Sequence, residues 1–146
     1  MKITLQRVSS ASVSVAGTMT GAIQLGLLLL CGFAEDDQEA CLKPMADKIA
    51  NLRIFPDEQG KFHFSLLDVQ GDALAVPQFT LFADTSKGRR PEFFKAMKPP
   101  KAEVYFHTFA ECLSAAGIKR VEKGIFGAHM EVSLVNDGPV TINLES

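Results

Sequence analysis

The sequence lacks the short motifs that mark side-chain catalysis. It has no G-x-S-x-G elbow, no H-E-x-x-H pair, no phosphate-binding G-x-x-x-x-G-K-[ST] loop and no G-x-G-x-x-G turn. The histidines, His63, His107 and His129, lie far apart and none neighbours an obvious nucleophile, so each reads as a surface or structural residue. A catalytic triad and a metal site therefore have little support, and neither a metal nor a cofactor is expected. The three cysteines, Cys31, Cys41 and Cys112, have no C-x-x-C spacing and are odd in number, which excludes a disulfide framework and a zinc ribbon. Cys31 sits in an apolar run and Cys112 on the apolar side of a helix, where small buried thiols belong. No stretch approaches the roughly 20 apolar residues that cross a bilayer. The longest, Leu25 to Phe33, is strand-sized. Met1-Lys2-Ile3-Thr4-Leu5 alternates polar and apolar residues and has no basic region followed by an apolar block, so no membrane association and a cytoplasmic location are expected.

What is present fits one globular domain. The chain has 146 residues, of which 47% are hydrophobic and 22% charged, enough for a single substantial core. The net charge of −2 gives no sign of nucleic acid, but its distribution does. Nine of the 15 basic residues lie between Lys87 and Lys123, among only four acids, while the remainder is strongly acidic. Such asymmetry steers a polyanion to one face, although a solvated helix and its approach loop would read the same way.

Ile3, Leu5, Val13 and Val15 alternate with polar residues, the mark of half-buried strands, and Gly17 and Gly21 bracket a turn. Leu27 to Phe33 is apolar on both faces and predicts a central strand. Asp36 and Glu39 form a capping-box-like pair at the start of a helix whose buried stripe is Cys41, Met45, Ile49 and Leu52, with Pro44 forcing a kink or a late start. Ile54-Phe55 and Phe62-Phe64 flank the turn-rich Pro56-Asp57-Glu58-Gln59-Gly60 and predict a hairpin. Ala73 to Leu81 is the next strand. Asp84 to Pro100 is loop, with a short helical turn near Phe93-Phe94.

A second helix runs from Pro99-Pro100 to Ala116, with Gly117 beyond its end. Its stripe of Ala102, Tyr105, Phe106, Phe109, Cys112, Leu113 and Ala116 is core. Two alternating strands, Met130-Val132-Leu134 and Val140-Ile142-Leu144, finish the chain around Asn136-Asp137-Gly138-Pro139. The fold class is α+β: a single domain of packed, barrel-like β-sheets in β/β/α layers, with two main helices on one side.

Two segments suit chemistry done by backbone. In Pro77-Gln78-Phe79-Thr80-Leu81 a proline interrupts a β-like sequence, so the chain should leave the ladder and free N–H groups for an oxyanion. Asn136-Asp137-Gly138-Pro139-Val140-Thr141 places a Gly-Pro pair between strands, and proline commonly takes a cis peptide. On residue chemistry alone, an ordinary turn accounts for either segment.

At these residues the chain resembles the D-aminoacyl-tRNA deacylases along essentially its whole length. Gln6-Arg7-Val8 and the following Ala-x-Val-x-Val run resemble that family's opening hairpin. Arg53-Ile54-Phe55, Gln78-Phe79-Thr80-Leu81, Gly88-Arg89-Arg90-Pro91-Glu92-Phe93 and Val132-Ser133-Leu134-Val135-Asn136-Asp137-Gly138-Pro139-Val140-Thr141 match its segments in order.

The resemblance implies hydrolysis of the ester joining a D-amino acid to the terminal adenosine of tRNA, by a homodimer with its sites at the interface. It also implies that Gly138 and Pro139, joined by a cis bond, enter the partner's pocket and exclude L side chains through their backbone carbonyls. Gln78, Phe79 and Thr80 would hold the substrate carbonyl and adenosine, with the ribose 2′-hydroxyl helping to activate water. Arg7 would brace the Gly-Pro loop. Apart from the resemblance, the basic stretch Lys87 to Lys101 directly follows the proposed site in sequence, so it, with Lys87, Arg89 and Arg90, is expected to meet acceptor-stem phosphates. Glycyl-tRNA, with no side chain to exclude, is an implied second substrate.

The family's segment usually begins with Ser where this chain has Pro77, which removes a hydroxyl and a backbone donor. A related branch that edits misplaced L-alanine also begins with Pro but usually lacks the Phe. Phe79 and the complete N-D-G-P-V-T segment place this chain with the D-specific enzymes. The competing readings are that L-alanine editing branch, a non-catalytic tRNA-binding dimer, and a conventional hydrolase with Thr80 as nucleophile.

Overall fold

The computed structural model describes residues 1–146. Alternation near the N-terminus produces one long strand, β1 (Lys2–Val15), rather than two. Ala16 and Gly17, with φ of 49° and 77°, turn the chain into β2 (Thr18–Ile23), the left-handed pair favoured in tight hairpins. Gly21 lies inside β2 instead of bounding the turn. The apolar run forms β3 (Gly26–Gly32), which is central as expected, antiparallel to β1 and parallel to β6 (Asp72–Pro77). An alanine at Gly26 would set its Cβ 2.0 Å from the Asp72 carbonyl oxygen, so glycine is required at that approach.

Helix α1 (Leu42–Asn51) begins later than the Asp36–Glu39 pair suggested, and no capping box forms. Pro44 cannot donate to a preceding carbonyl and its ring crowds that turn, so Glu39–Cys41 winds as a tighter 3₁₀ turn. Asp37, not Asp36, orders this region by accepting the Ala34 N–H at 2.6 Å. The predicted hairpin is β4 (Phe55–Pro56) with β5 (Phe62–Phe64). Helix α2 (Pro99–Ala115) matches its expected bounds closely, and Gly117 (φ 104°) turns the chain out of it. The short β7 (Val121–Lys123), beside β6, carries too few residues for a periodic signal.

The C-terminal pair is instead one strand, β8 (Glu131–Glu145), antiparallel to β1 along nearly its whole length. Its register jumps: Val8 faces Asn136, whereas Gln6 faces Thr141. Asp137 to Val140 thus bulge out opposite Arg7.

The main sheet runs β2-β1-β3-β6-β7, with β8 along the other edge of β1. It curls on itself, giving the β/β layers. Its interior holds Val8, Ala11, Val13, Ile23, Leu28, Leu74 and Val76. The opposite face packs under the helices around Phe55, Phe106 and Phe109. The observed class is α+β, a single nearly closed barrel-like mixed sheet with two helices. No helix is long and apolar enough to cross a membrane.

Candidate active site

Strand β6 ends at Pro77, because proline has no N–H to continue the ladder. Gln78 makes the last sheet-like bond, donating its N–H to the Cys31 carbonyl at 2.7 Å. The expected strand to Leu81 is replaced by a 3₁₀ turn, Phe79–Phe82. Gly32 permits this turn to lie close, since a Cβ there would sit 2.9 Å from the Gln78 carbonyl oxygen. As at any helix start, the first amides of the turn, those of Phe79 and Thr80, have no acceptor within the turn itself. The Gln78 side-chain amide hydrogen-bonds the Thr80 hydroxyl.

These residues border a cavity of about 540 Å³ lined by Pro77, Gln78 and Phe79 on one side and Phe126 to Met130 on another. Phe33, Phe93 and Met97 make it largely apolar, with Phe79 and Phe93 meeting edge to face at 5.0 Å between centroids. The volume suits a small organic ligand. Cys31 also lines it, but burial pushes its thiol well above the ordinary range, which keeps it from acting as a thiolate nucleophile. Thr80 is exposed and has only the Gln78 amide as a hydrogen-bond partner, a group that cannot take its proton.

The second candidate segment lies elsewhere on the chain. The Gly138-Pro139 peptide is cis and both residues are exposed. Behind them Arg7 is buried, 6% exposed, and in phase with Ile3 and Leu5 on the core side of β1. Its Nε donates to the Asp137 carbonyl at 3.0 Å and lies 3.1 Å from the Asp137 carboxylate. Its Nη1 donates to the Ile54 carbonyl at 2.6 Å, and its guanidinium carbon is 5.8 Å from the Phe62 ring centre. The bulge is therefore anchored from inside.

Val132 lines the cavity, whereas Gly138 is further along β8, roughly 15–20 Å away at about 3.3 Å per residue. One chain thus groups Pro77, Gln78 and Phe79, with Thr80 adjoining, and separately groups Arg7 with Gly138 and Pro139. It does not bring the two groups together.

Lys87, Arg89 and Arg90 occupy an exposed loop just after the 3₁₀ turn. Backbone bonds between Asp84 and Glu92, 2.8 and 2.9 Å, close its base. Hydrogen bonds from the Ser86 hydroxyl and amide hold the Asp84 carboxyl below its ordinary value of 3.8. That contribution to the closure is complete above this value and is lost only as pH falls below it.

The sequence reading missed the Phe126–Met130 wall. Its one available signal was a glycine-punctuated stretch, Gly124 to Gly127, without periodicity.

The site is thus an apolar, ligand-sized cavity bordered by the start of a 3₁₀ turn, with no paired nucleophile and base beside it. The D-Tyr-tRNA(Tyr) deacylase family model matches residues 4–145. The D-aminoacyl-tRNA deacylase of Thermomicrobium roseum is 56% identical, over 100% of this chain and 94% of its own. That of Bacillus pumilus is 52% identical, over 100% and 99%. Among solved structures, the c-Myc DNA unwinding element binding protein superposes with a TM-score of 0.93 at 43% identity, covering 100% of this chain and 99% of that one. A probable eukaryotic D-amino acid tRNA deacylase shares the fold, with a TM-score of 0.85 at 17% identity over 98% of each chain. The chain belongs to the D-Tyr-tRNA(Tyr) deacylase family.

Proposed function

We propose that this protein hydrolyses the ester between a D-amino acid and the terminal adenosine of tRNA, as a homodimer whose subunits complete each other's sites. The observation that carries the reading is the start of a 3₁₀ turn at a largely apolar cavity, where the Phe79 and Thr80 amides have no acceptor within their own turn, beside Gln78. Water attacks the ester carbonyl, and the negative charge that develops on its oxygen is met by these preorganised N–H groups. One such donor typically contributes about 10²–10³ in rate. The ribose 2′-hydroxyl of the substrate assists in activating the water, so no side-chain base or cofactor is required. The Pro77 ring contributes to the cavity wall without a hydroxyl.

Gly138-Pro139 is displaced from its own chain's cavity and faces outward, the placement needed to enter a partner's. The partner is reached through β8, which pairs only with β1 and leaves its outer edge and Val135 exposed. A long, unpaired strand edge is a natural surface for self-association. Backbone carbonyls at the inserted pair exclude an L side chain while leaving D side chains untested, so broad tolerance of D-residues follows, together with hydrolysis of glycyl-tRNA.

Purified protein without added metal or cofactor is expected to release D-tyrosine from D-Tyr-tRNA and to leave L-Tyr-tRNA intact. Equal release from both would refute chiral screening, and no release from either would favour a tRNA-binding dimer. Release of L-alanine from L-Ala-tRNA in preference would assign the chain to the L-alanine editing branch. Thr80→Ala should retain most activity, because its hydroxyl has no base; complete loss would restore Thr80 as a nucleophile.

Lys87, Arg89 and Arg90, exposed on the loop that follows the 3₁₀ turn, suit acceptor-stem phosphates. Reversing Arg89 and Arg90 to glutamate should weaken tRNA binding and reduce the slope of log affinity against log salt by about 0.9 for each lost phosphate contact. An unchanged slope would place the phosphates elsewhere.

A further inference from the structure

Phe94 has no role in the site described above. The residue is 79% exposed, the most exposed of the large hydrophobic residues, and its ring has no aromatic or cationic partner within the chain. A single exposed phenylalanine is unremarkable on most surfaces. Here its position and its surroundings are specific. The stretch from Lys87 to Lys98 carries Lys87, Arg89, Arg90, Lys95 and Lys98 against one acid, Glu92. Phe93, the residue before it, turns the other way and lines the cavity against Phe79.

The backbone around Phe94 is held on both sides. The Ala96 N–H donates to the Phe93 carbonyl at 3.0 Å, and the Glu35 N–H donates to the Lys95 carbonyl at 2.9 Å. The Met97 N–H reaches the Phe33 carbonyl at 2.9 Å, and the Glu35 carboxylate accepts the Lys98 N–H at 3.2 Å. An exposed ring on a pinned turn gives up little backbone freedom when it is covered. An exposed apolar ring next in sequence to a residue that lines the cavity, with basic residues before and after it in the chain, has the composition of a platform for single-stranded nucleic acid: cations track the backbone while a base stacks on the ring.

We propose that Phe94 stacks on an unpaired base of the RNA's single-stranded 3′ end as the terminal nucleotide enters the cavity. Phe94 is thus a positioning residue for the RNA rather than a catalytic one. The inference rests on the deacylase reading for the identity of the RNA, but its test needs no ester. The probe is an uncharged acceptor-stem hairpin with a four-nucleotide single-stranded 3′ end, compared with the same hairpin cut flush.

Phe94→Ala should weaken binding of the overhanging hairpin about tenfold, within the range for loss of one base–aromatic stack. It should leave the flush hairpin's affinity and the salt slope unchanged, because no charge is removed. Phe94→Trp should restore the affinity, and Phe94→Leu, apolar but without a π-face, should not. Equal weakening for both hairpins, no weakening for either, or rescue by leucine would overturn the proposal. Hydrolysis of D-Tyr-tRNA by the wild-type protein, measured in parallel, separates the two readings. A stacking signature without hydrolysis would refute the deacylase alone; hydrolysis without the signature would refute the platform alone.

Discussion

Gly138→Ala is expected to lower kcat/KM for D-Tyr-tRNA about 100-fold while the protein stays folded. Gly138 has a φ of 136°, in the region that L side chains rarely adopt. A Cβ there would lie 2.8 Å from Val140 Cγ2, 3.0 Å from the Val140 nitrogen and 3.1 Å from Arg7 Nη2. The Val140 nitrogen is held in turn, donating to the Asn136 side-chain oxygen at 3.0 Å. The Val140 side chain can turn aside, but the Val140 nitrogen and Arg7 contacts cannot relax without moving the bulge or pushing Arg7 from its place. Forcing such a backbone conformation costs about 1–3 kcal/mol, which a domain of this size can lose without unfolding.

The functional loss should be larger than the thermal one, because a shift of about 1 Å in a positioning group can lower a rate about 10²-fold. Steady-state kinetics on D- and L-Tyr-tRNA, with a melting curve on the same sample, test this. The expected pattern is a melting temperature lowered by a few degrees, poor turnover of the D-substrate and a smaller D-to-L ratio. Wild-type kinetics with an unchanged ratio would remove Gly138 from the site.

The parts of the fold legible in the sequence are those encoded locally. The stripe from Ala102 to Leu113, the prolines at its start and Gly117 beyond its end defined α2 almost to the residue. The run from Leu27 to Phe33 marked a strand buried on both faces, observed as Gly26–Gly32. Alternation says which side chains face inward but not which strand edges meet. That is why β1 and β8 each read as two strands, and why their continuous pairing with one bulge was not apparent.

Pro44 was correctly a problem for an early helix, yet the Asp36–Glu39 pair still suggested one, because a capping box is a local signal and the proline's effect is set by the turn before it. At the site, Pro77 signalled the end of the ladder, whereas the Phe126–Met130 wall comes from a distant loop with no pattern to read. Arg7 left a trace: a charge in phase with Ile3 and Leu5 should not be buried unless it is paired. Its partners, the Asp137 and Ile54 carbonyls, depend on the fold.

Arg7→Ala should destabilise the protein by about 3 kcal/mol and nearly abolish deacylation. Arg7 is buried, and its guanidinium satisfies the Ile54 carbonyl, the Asp137 carbonyl and the Asp137 carboxylate at once. Truncation leaves the Ile54 oxygen without its partner, and an unsatisfied buried acceptor costs about 1–3 kcal/mol. The lost packing beneath Phe62 adds to this. The carboxylate adds less, because the Asp137 side chain is 44% exposed and water can replace the guanidinium there.

A double-mutant cycle separates these contributions. Asp137→Asn keeps the backbone carbonyl that Arg7 Nε bonds, so it should cost about 1 kcal/mol or less. Arg7→Lys should resemble Arg7→Ala more than wild type, since one ammonium cannot reproduce a planar fork bonding in two directions. Denaturant unfolding of the four combinations gives the coupling energy between the two side chains, expected to be small beside the total effect of Arg7. If Asp137→Asn proved as damaging as Arg7→Ala, or lysine at position 7 restored both stability and turnover, the bulge would be held by charge alone. If both hold as expected, the backbone of the Gly138-Pro139 bulge is positioned by directional hydrogen bonds from a buried guanidinium, as a site that judges handedness through backbone carbonyls requires.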